Sequence, residues 1–186
     1  MRDKTRNHII LTASDLFYQK GYNLTGINEI IEKAGIAKAT LYNHFRSKED
    51  LCLAYLDARD QELLEQLNQY CEQKKKGIAR VIGILEFLIQ FFESGEFNGC
   101  WCIRTSAEIP RENERIKLKI KQNKKEFLEF IEDLIKKNIS NLTRSKRERL
   151  AKQVYLLYEG AVTESHLQKE DWPIHENIRI LKTLLK

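Results

Sequence analysis

Two sets of residues have side chains that could do chemistry. The first is Lys38, Ala39, Thr40, Tyr42, Asn43, His44 and Lys48, where ammonium, hydroxyl, phenol, amide and imidazole groups crowd into one short segment. A two-turn helix that presents the first six of these fits a DNA major groove about 12 Å wide, with its N-terminal residues nearest the base edges and Lys48 just beyond it. The second is the C-x-C pair Cys100 and Cys102. The four histidines, His8, His44, His166 and His175, are scattered over different segments, so no paired metal-ligand spacing exists and neither metal nor cofactor is expected. The thiols lack a general-base histidine nearby in sequence, and the chain has no Gly-rich phosphate loop and no paired-carboxylate motif. That combination argues for a binding protein and against an enzyme, with the C-x-C pair read as buried and inert.

The first set needs a rigid platform, and the sequence supplies one. A helix is predicted over residues 4–20 from Ile9, Ala13, Leu16 and Phe17, with Gly21 at its left-handed end. Thr25 is expected to cap a second helix through Ala34, with Ile27, Ile30 and Ile31 turned inward and Gly35 ending it. Residues 38–45 form the third, joined to the second by a three- or four-residue turn containing glycine, which is helix-turn-helix spacing. Leu41 and Phe45, four apart and apolar, anchor that helix to the core. Ser47 opens a long fourth helix with Asp50 three residues on and Glu49 suited to the helix dipole.

Charge follows the same division. The chain has 186 residues and net charge +5. Residues 1–48 carry eight basic side chains (Arg2, Lys4, Arg6, Lys20, Lys33, Lys38, Arg46 and Lys48) against four acidic ones (Asp3, Asp15, Glu29 and Glu32), while the rest is nearly balanced. The excess lies where a phosphate footprint requires it.

Beyond Cys71 the pattern stays helical. Residues 78–92 are apolar at 11 of 15 positions, a stripe broad enough to be surrounded by other helices. A short helix is predicted at 100–109 before Pro110, an amphipathic one to about Ile139, and a longer one over 145–169 with apolar residues on two faces, one for a core and one for a partner. Trp172-Pro173 starts the last helix, with proline at its tolerated first position. Two prolines and eight glycines leave few breakers, so the expected fold is all-α. With 42% apolar and 32% charged residues the chain reads as an ordinary globular protein. No secretory signal and no membrane-spanning run is apparent, and a cytoplasmic location with reduced thiols is the expectation.

Residues 21–51, GYNLTGINEIIEKAGIAKATLYNHFRSKEDL, resemble the DNA-binding module of the tetracycline-repressor (TetR) family of bacterial transcriptional regulators. The resemblance rests on AG ending the second helix, TLY followed by HF in the third, SKE opening the fourth, and a helix of the right length before GY. It implies a helix-turn-helix DNA-binding domain over residues 1–46, joined by the long helix to a helical effector-binding and dimerisation domain over 47–186. It implies that Lys38, Tyr42, His44 and Lys48 touch phosphates, that Thr25 does so from the start of the second helix, and that Ala39 and Thr40 lie against bases. Ala39 stands where the family often has glycine and Asn43, also expected at the DNA, where it often has an aromatic residue.

The expected partners are therefore a double-stranded palindromic operator, a small-molecule effector and a second copy of the chain, with no membrane. Phe87, Phe91, Cys100, Trp101, Tyr155 and Tyr158 are the candidates for an effector cavity. GC at 99–100 with AE at 107–108 resembles a motif of family subgroups that include sensors of reactive electrophiles. Two other readings compete with a ligand-released repressor: control by oxidation or alkylation of Cys100, and a helical small-molecule carrier with an incidental basic head.

Overall fold

In a computed structural model that describes residues 2–185, the chain forms only helices among the described residues: α1 (Arg2–Lys20), α2 (Ile27–Ala34), α3 (Lys38–His44), α4 (Lys48–Gln73), α5 (Ile78–Glu93), α6 (Trp101–Glu108), α7 (Glu114–Asn138), α8 (Arg144–Gln168) and α9 (Trp172–Leu184). Their ends fall close to the capping signals. Ser47 accepts the Asp50 backbone N–H through its hydroxyl at 3.0 Å, satisfying one of the donors that the start of α4 leaves open. Thr143 does the same for Lys146 at the start of α8, at 3.3 Å. At α2 the sequence expectation fails in detail. Gly26 occupies the cap position, and the Thr25 hydroxyl donates to the Gly21 carbonyl instead, at 2.7 Å. The last predicted helix ends at Leu184, and Lys186 lies outside the described residues.

Contacts gather the chain into two compact units. One takes residues up to Glu62 together with Trp101–Asn123; the other takes Leu63–Cys100 together with the residues from Lys124 onward. The junctions fall inside α4 and α7 and between Cys100 and Trp101. The unit that contains residues 1–46 is thus larger than that segment, and α6 is part of it.

In the first unit, Ile9, Ala13, Leu16 and Phe17 of α1 are buried with Ile30 of α2, Leu41 of α3 and Leu51 and Tyr55 of α4. Asn123 is buried too, its amide donating to the Leu56 carbonyl at 3.0 Å, so α7 is tied to α4 by a satisfied polar contact. The second unit is built around α5, whose Val81, Ile84, Leu85 and Leu88 pack with Phe127, Ile131 and Ile135 of α7, Val154 and Ala161 of α8 and Ile174 and Leu181 of α9. This matches the broad apolar stripe of 78–92.

The two faces expected on α8 are resolved differently from the simple pattern. Val154, Tyr158, Ala161 and Val162 are all in the core, whereas Leu156 and Leu167 are each 67% exposed. Gly160 lies between them with open space around it. Among the described residues no helix is long and apolar enough to cross a membrane.

The turn between α2 and α3 depends on Gly35, whose φ of 62° lets its N–H reach back to close the helix. A Cβ there would touch nothing within 4 Å, so the cost of a side chain is the backbone conformation alone. Gly35→Ala is expected to lower the unfolding free energy by about 1 kcal/mol, and Gly35→Asn by less, in chemical denaturation.

Candidate nucleic-acid interface

A seven-residue helix can show little to a partner unless one side is firmly held. In α3 the inward side is Leu41, fully buried, continued by Phe45 just past the helix end. The Arg6 guanidinium lies over the Phe45 ring at 5.1 Å, and His8 of α1 contacts the Ala34 carbonyl at 3.1 Å, closing the corner between α1, α2 and α3. What remains outward is Lys38, Ala39, Tyr42 and Asn43, all exposed, with Thr40 and His44 half-buried at the flanks. These positions form one continuous face because residues three and four apart are neighbours on a helix.

Lys48, at the first turn of α4, stands beside this face in sequence. Its ammonium lies 4.5 Å from the centre of the Tyr22 ring, and partial burial holds its pKa below the usual lysine value. Burial also pushes the Tyr22 phenol up to about 12, so the ring stays neutral and keeps its cation-attracting face. Tyr22 is the site residue that sequence reasoning missed. Its only local signal was an aromatic residue following the glycine that ends α1.

Thr25 is placed differently from the rest. It is fully buried and its hydroxyl is committed to Gly21, so its side chain is not presented to solvent. The expectation that it touches phosphate is corrected on that point: what it supplies is a fixed turn before α2, whose first residues Gly26 and Asn28 are exposed.

The same turn is gripped by α6. The Glu108 carboxylate accepts the Asn23 backbone N–H, and the Asn23 side-chain amide donates to the Glu108 carbonyl, both at 2.7 Å. Gly21 is required here, since a Cβ would strike the Glu108 carboxylate. Arg104, one turn earlier on α6, donates to the Tyr18 carbonyl at 2.6 Å. Arg115 binds both Glu49 and Asp50 at the start of α4 and holds the Asp50 carboxyl below its ordinary range.

A face of one cation, one amide and one phenol on a short helix behind a glycine turn is the geometry of a helix-turn-helix reader. The sequence pattern described as "Bacterial regulatory proteins, tetR family" matches residues 9–55, which are α1 through the first turns of α4. Residues 9–55 carry the sequence pattern of the TetR family. Over 92 residues it is 33% identical to the HTH-type transcriptional activator FasR of Mycolicibacterium smegmatis, a match covering 50% of this chain and 42% of that protein. It is 23% identical to the HTH-type transcriptional repressor NemR of Escherichia coli K12 over 97% of this chain and 94% of that one. The crystal structure of a TetR-family transcriptional regulator from Streptomyces coelicolor has the same fold, with a TM-score of 0.84 at 23% identity over 97% of this chain and 88% of that one.

Five of the six candidates for an effector cavity lie in or against one hydrophobic cluster. Trp101 belongs to the DNA-binding unit, its ring near Tyr18 at 6.3 Å and under the Arg59 guanidinium at 5.4 Å. Phe87, Phe91, Cys100, Tyr155 and Tyr158 belong to the other. Phe87 packs between Tyr70 and Phe91, and Tyr158 stands edge-on to Phe127 at 4.7 Å, both buried. Phe91, Cys100 and Tyr155 are half-buried. Cys100 has a neighbour that sequence gave no means of finding: the Lys124 ammonium lies 3.2 Å from its sulfur and also binds both oxygens of Glu159. Among the described residues no group of histidine, cysteine and carboxylate side chains is arranged to hold a metal ion.

The thiols differ in their surroundings. Cys52, Cys71 and Cys102 are buried, and burial pushes Cys52 and Cys71 up to about 12. At pH 8 a thiol of pKa about 12 is ionised to roughly one part in ten thousand. Iodoacetamide at pH 8 should therefore label Cys100 before the other three in the native protein, with peptide mass mapping as the readout; earlier labelling of Cys52 or Cys71 would show that the burial reading is wrong.

Proposed function

We propose that this chain is a homodimeric, ligand-responsive repressor that leaves a palindromic operator when a small-molecule effector binds. The observation that carries the DNA side of this reading is the outward face of α3, fixed to the core by Leu41 and Phe45. In this assignment residues 1–46 read DNA and residues 47–186 regulate. Lys38, Tyr42, His44 and Lys48 hold phosphates, Ala39, Thr40 and Asn43 face bases, and Thr25 sets the turn from which α2 starts. The start of α4 adds its free N–H groups to the Lys48 ammonium, a combination that suits a phosphate oxygen.

The exposed Leu156 and Leu167 of α8, with Gly160 between them, are the surface we assign to dimerisation, together with Ile180 and Leu184 of α9. Two reading heads must span major-groove faces about 34–36 Å apart or a multiple of it, so an effector that alters their separation costs contacts on both sides. Of the residues assigned to the effector, Phe91, Cys100 and Tyr155 keep open surface, while Phe87, Trp101 and Tyr158 act through packing.

One observation favours a second mode of release. The Lys124 ammonium beside the Cys100 sulfur stabilises a thiolate, the reactive form of cysteine, so oxidation or alkylation of Cys100 is a competing trigger. In that case Cys100→Ser should bind operator normally and stay bound after quinone treatment, while the native protein dissociates in a gel shift.

The DNA roles are tested with two variants on one operator and one random duplex over a range of salt. Lys48→Ala should weaken both duplexes by similar factors. Each dimer loses two phosphate contacts, so the slope of log K against log salt should shrink by about 2. Thr40→Ala should instead change preference among operator variants by about 1–3 kcal/mol per affected base pair and leave the slope alone. An unchanged slope for Lys48→Ala, or equal weakening of every sequence by Thr40→Ala, overturns the assignment; failure of the native chain to shift any duplex favours the carrier reading.

A further inference from the structure

Near the C-terminal end of α8, Ser165 is fully buried and its hydroxyl has no hydrogen-bond partner among the described residues. A helical serine usually returns its hydroxyl to the carbonyl one turn back, and buried hydroxyls are almost always satisfied. This one instead lines a cavity of about 230 Å³ with Phe92, Phe97, Asn98, His166 and Lys169. All six residues belong to the second unit.

The walls are aromatic and fixed. Phe97 packs against Phe92 at 5.4 Å between ring centres and stands edge-on to the His166 imidazole at 6.4 Å. Behind the imidazole is Gly99, where a Cβ would come within 2.8 Å of the ring, so the backbone braces it. None of the six lining residues is acidic, and the Lys169 ammonium brings a positive charge. Lys169 adopts a left-handed conformation at the end of α8, with φ of 56°, and is exposed. An apolar cavity of roughly 150 Å³ accepts a benzene ring, so this volume holds one ring and a small polar substituent.

We propose that this cavity binds a small single-ring aromatic carboxylate. The ring lies against Phe92 and Phe97, and the carboxylate accepts the Ser165 hydroxyl and pairs with Lys169. Its role as an effector rests on the regulatory reading above; its existence as a binding site does not.

Benzoate titrated into the full chain by isothermal calorimetry tests the site, with benzamide and cyclohexanecarboxylate as comparators. Benzoate should bind saturably, one per chain, and at least tenfold more tightly than either comparator. Ser165→Ala and Lys169→Asn, the latter keeping a residue that tolerates the left-handed conformation, should each weaken benzoate at least tenfold while melting like the native protein. Absence of saturable benzoate binding, or unaltered binding in both variants, overturns the proposal. Gel shifts of operator DNA with and without benzoate report separately on regulation: benzoate that binds without releasing DNA removes the effector role, and a chain that never binds DNA removes the regulator reading, each leaving the calorimetric result intact.

Discussion

A helix of seven residues cannot hold its own shape in water, because nucleating a helical turn costs more than so few hydrogen bonds return. The outward face of α3 therefore depends on its attachment through Leu41 and Phe45 to the core made by α1, α2 and α4. Those two side chains fix the helix in rotation as well as in place. Rotation decides which residues face outward, and the exposed set Lys38, Ala39, Tyr42 and Asn43 follows from it. The glycine at 35 and the extended residues before Lys38 exist to turn the chain sharply enough for that attachment.

The reading head is also held from a distance in sequence. Glu108 and Arg104 of α6 bind the backbone of the turn and of the end of α1, and the Asn23 amide and the missing side chain at Gly21 complete the grip. The chain enters this unit at Trp101 directly after Cys100, the last residue of the other unit's first segment. Asn98 of the proposed aromatic-acid cavity and Cys100 beside Lys124 thus stand two and zero residues from the segment that ends in the Glu108 clamp. The proposed cavity, through Asn98, and the Cys100 thiol both involve the chain just before α6.

Polar satisfaction separates the working groups from the structural ones. Asn123, Thr25 and Ser47 are bound to backbone groups and serve the fold. Ser165 is buried, has no partner among the described residues and lines the cavity proposed to hold a ligand. Cys52 and Cys71 have thiols that burial keeps neutral, whereas Cys100 shares a lysine with a glutamate. Chemical type alone does not distinguish these cases; surroundings do.

The sequence by itself determined the helices and the helix-turn-helix segment, because capping residues, glycine turns and apolar periodicity act over four or five residues and can be read locally. It placed α3 at 38–45 against an observed Lys38–His44, and it found the Ser47 cap. Only the tertiary structure decided what lies opposite what. Thr25 has the type of a capping or phosphate-binding residue, yet the turn before α2 is tight enough for its hydroxyl to reach Gly21. Of the two apolar faces expected on α8, Val154, Tyr158 and Ala161 are in the core while Leu156 and Leu167 are exposed, because a helix packed by several neighbours buries more than one stripe. Trp101 parts from Phe87 and Tyr158, and Lys124 meets Cys100 and Glu159, across 24 and 35 residues of chain. Such pairings are set by packing between helices, whose contacts leave no periodic trace in either segment alone.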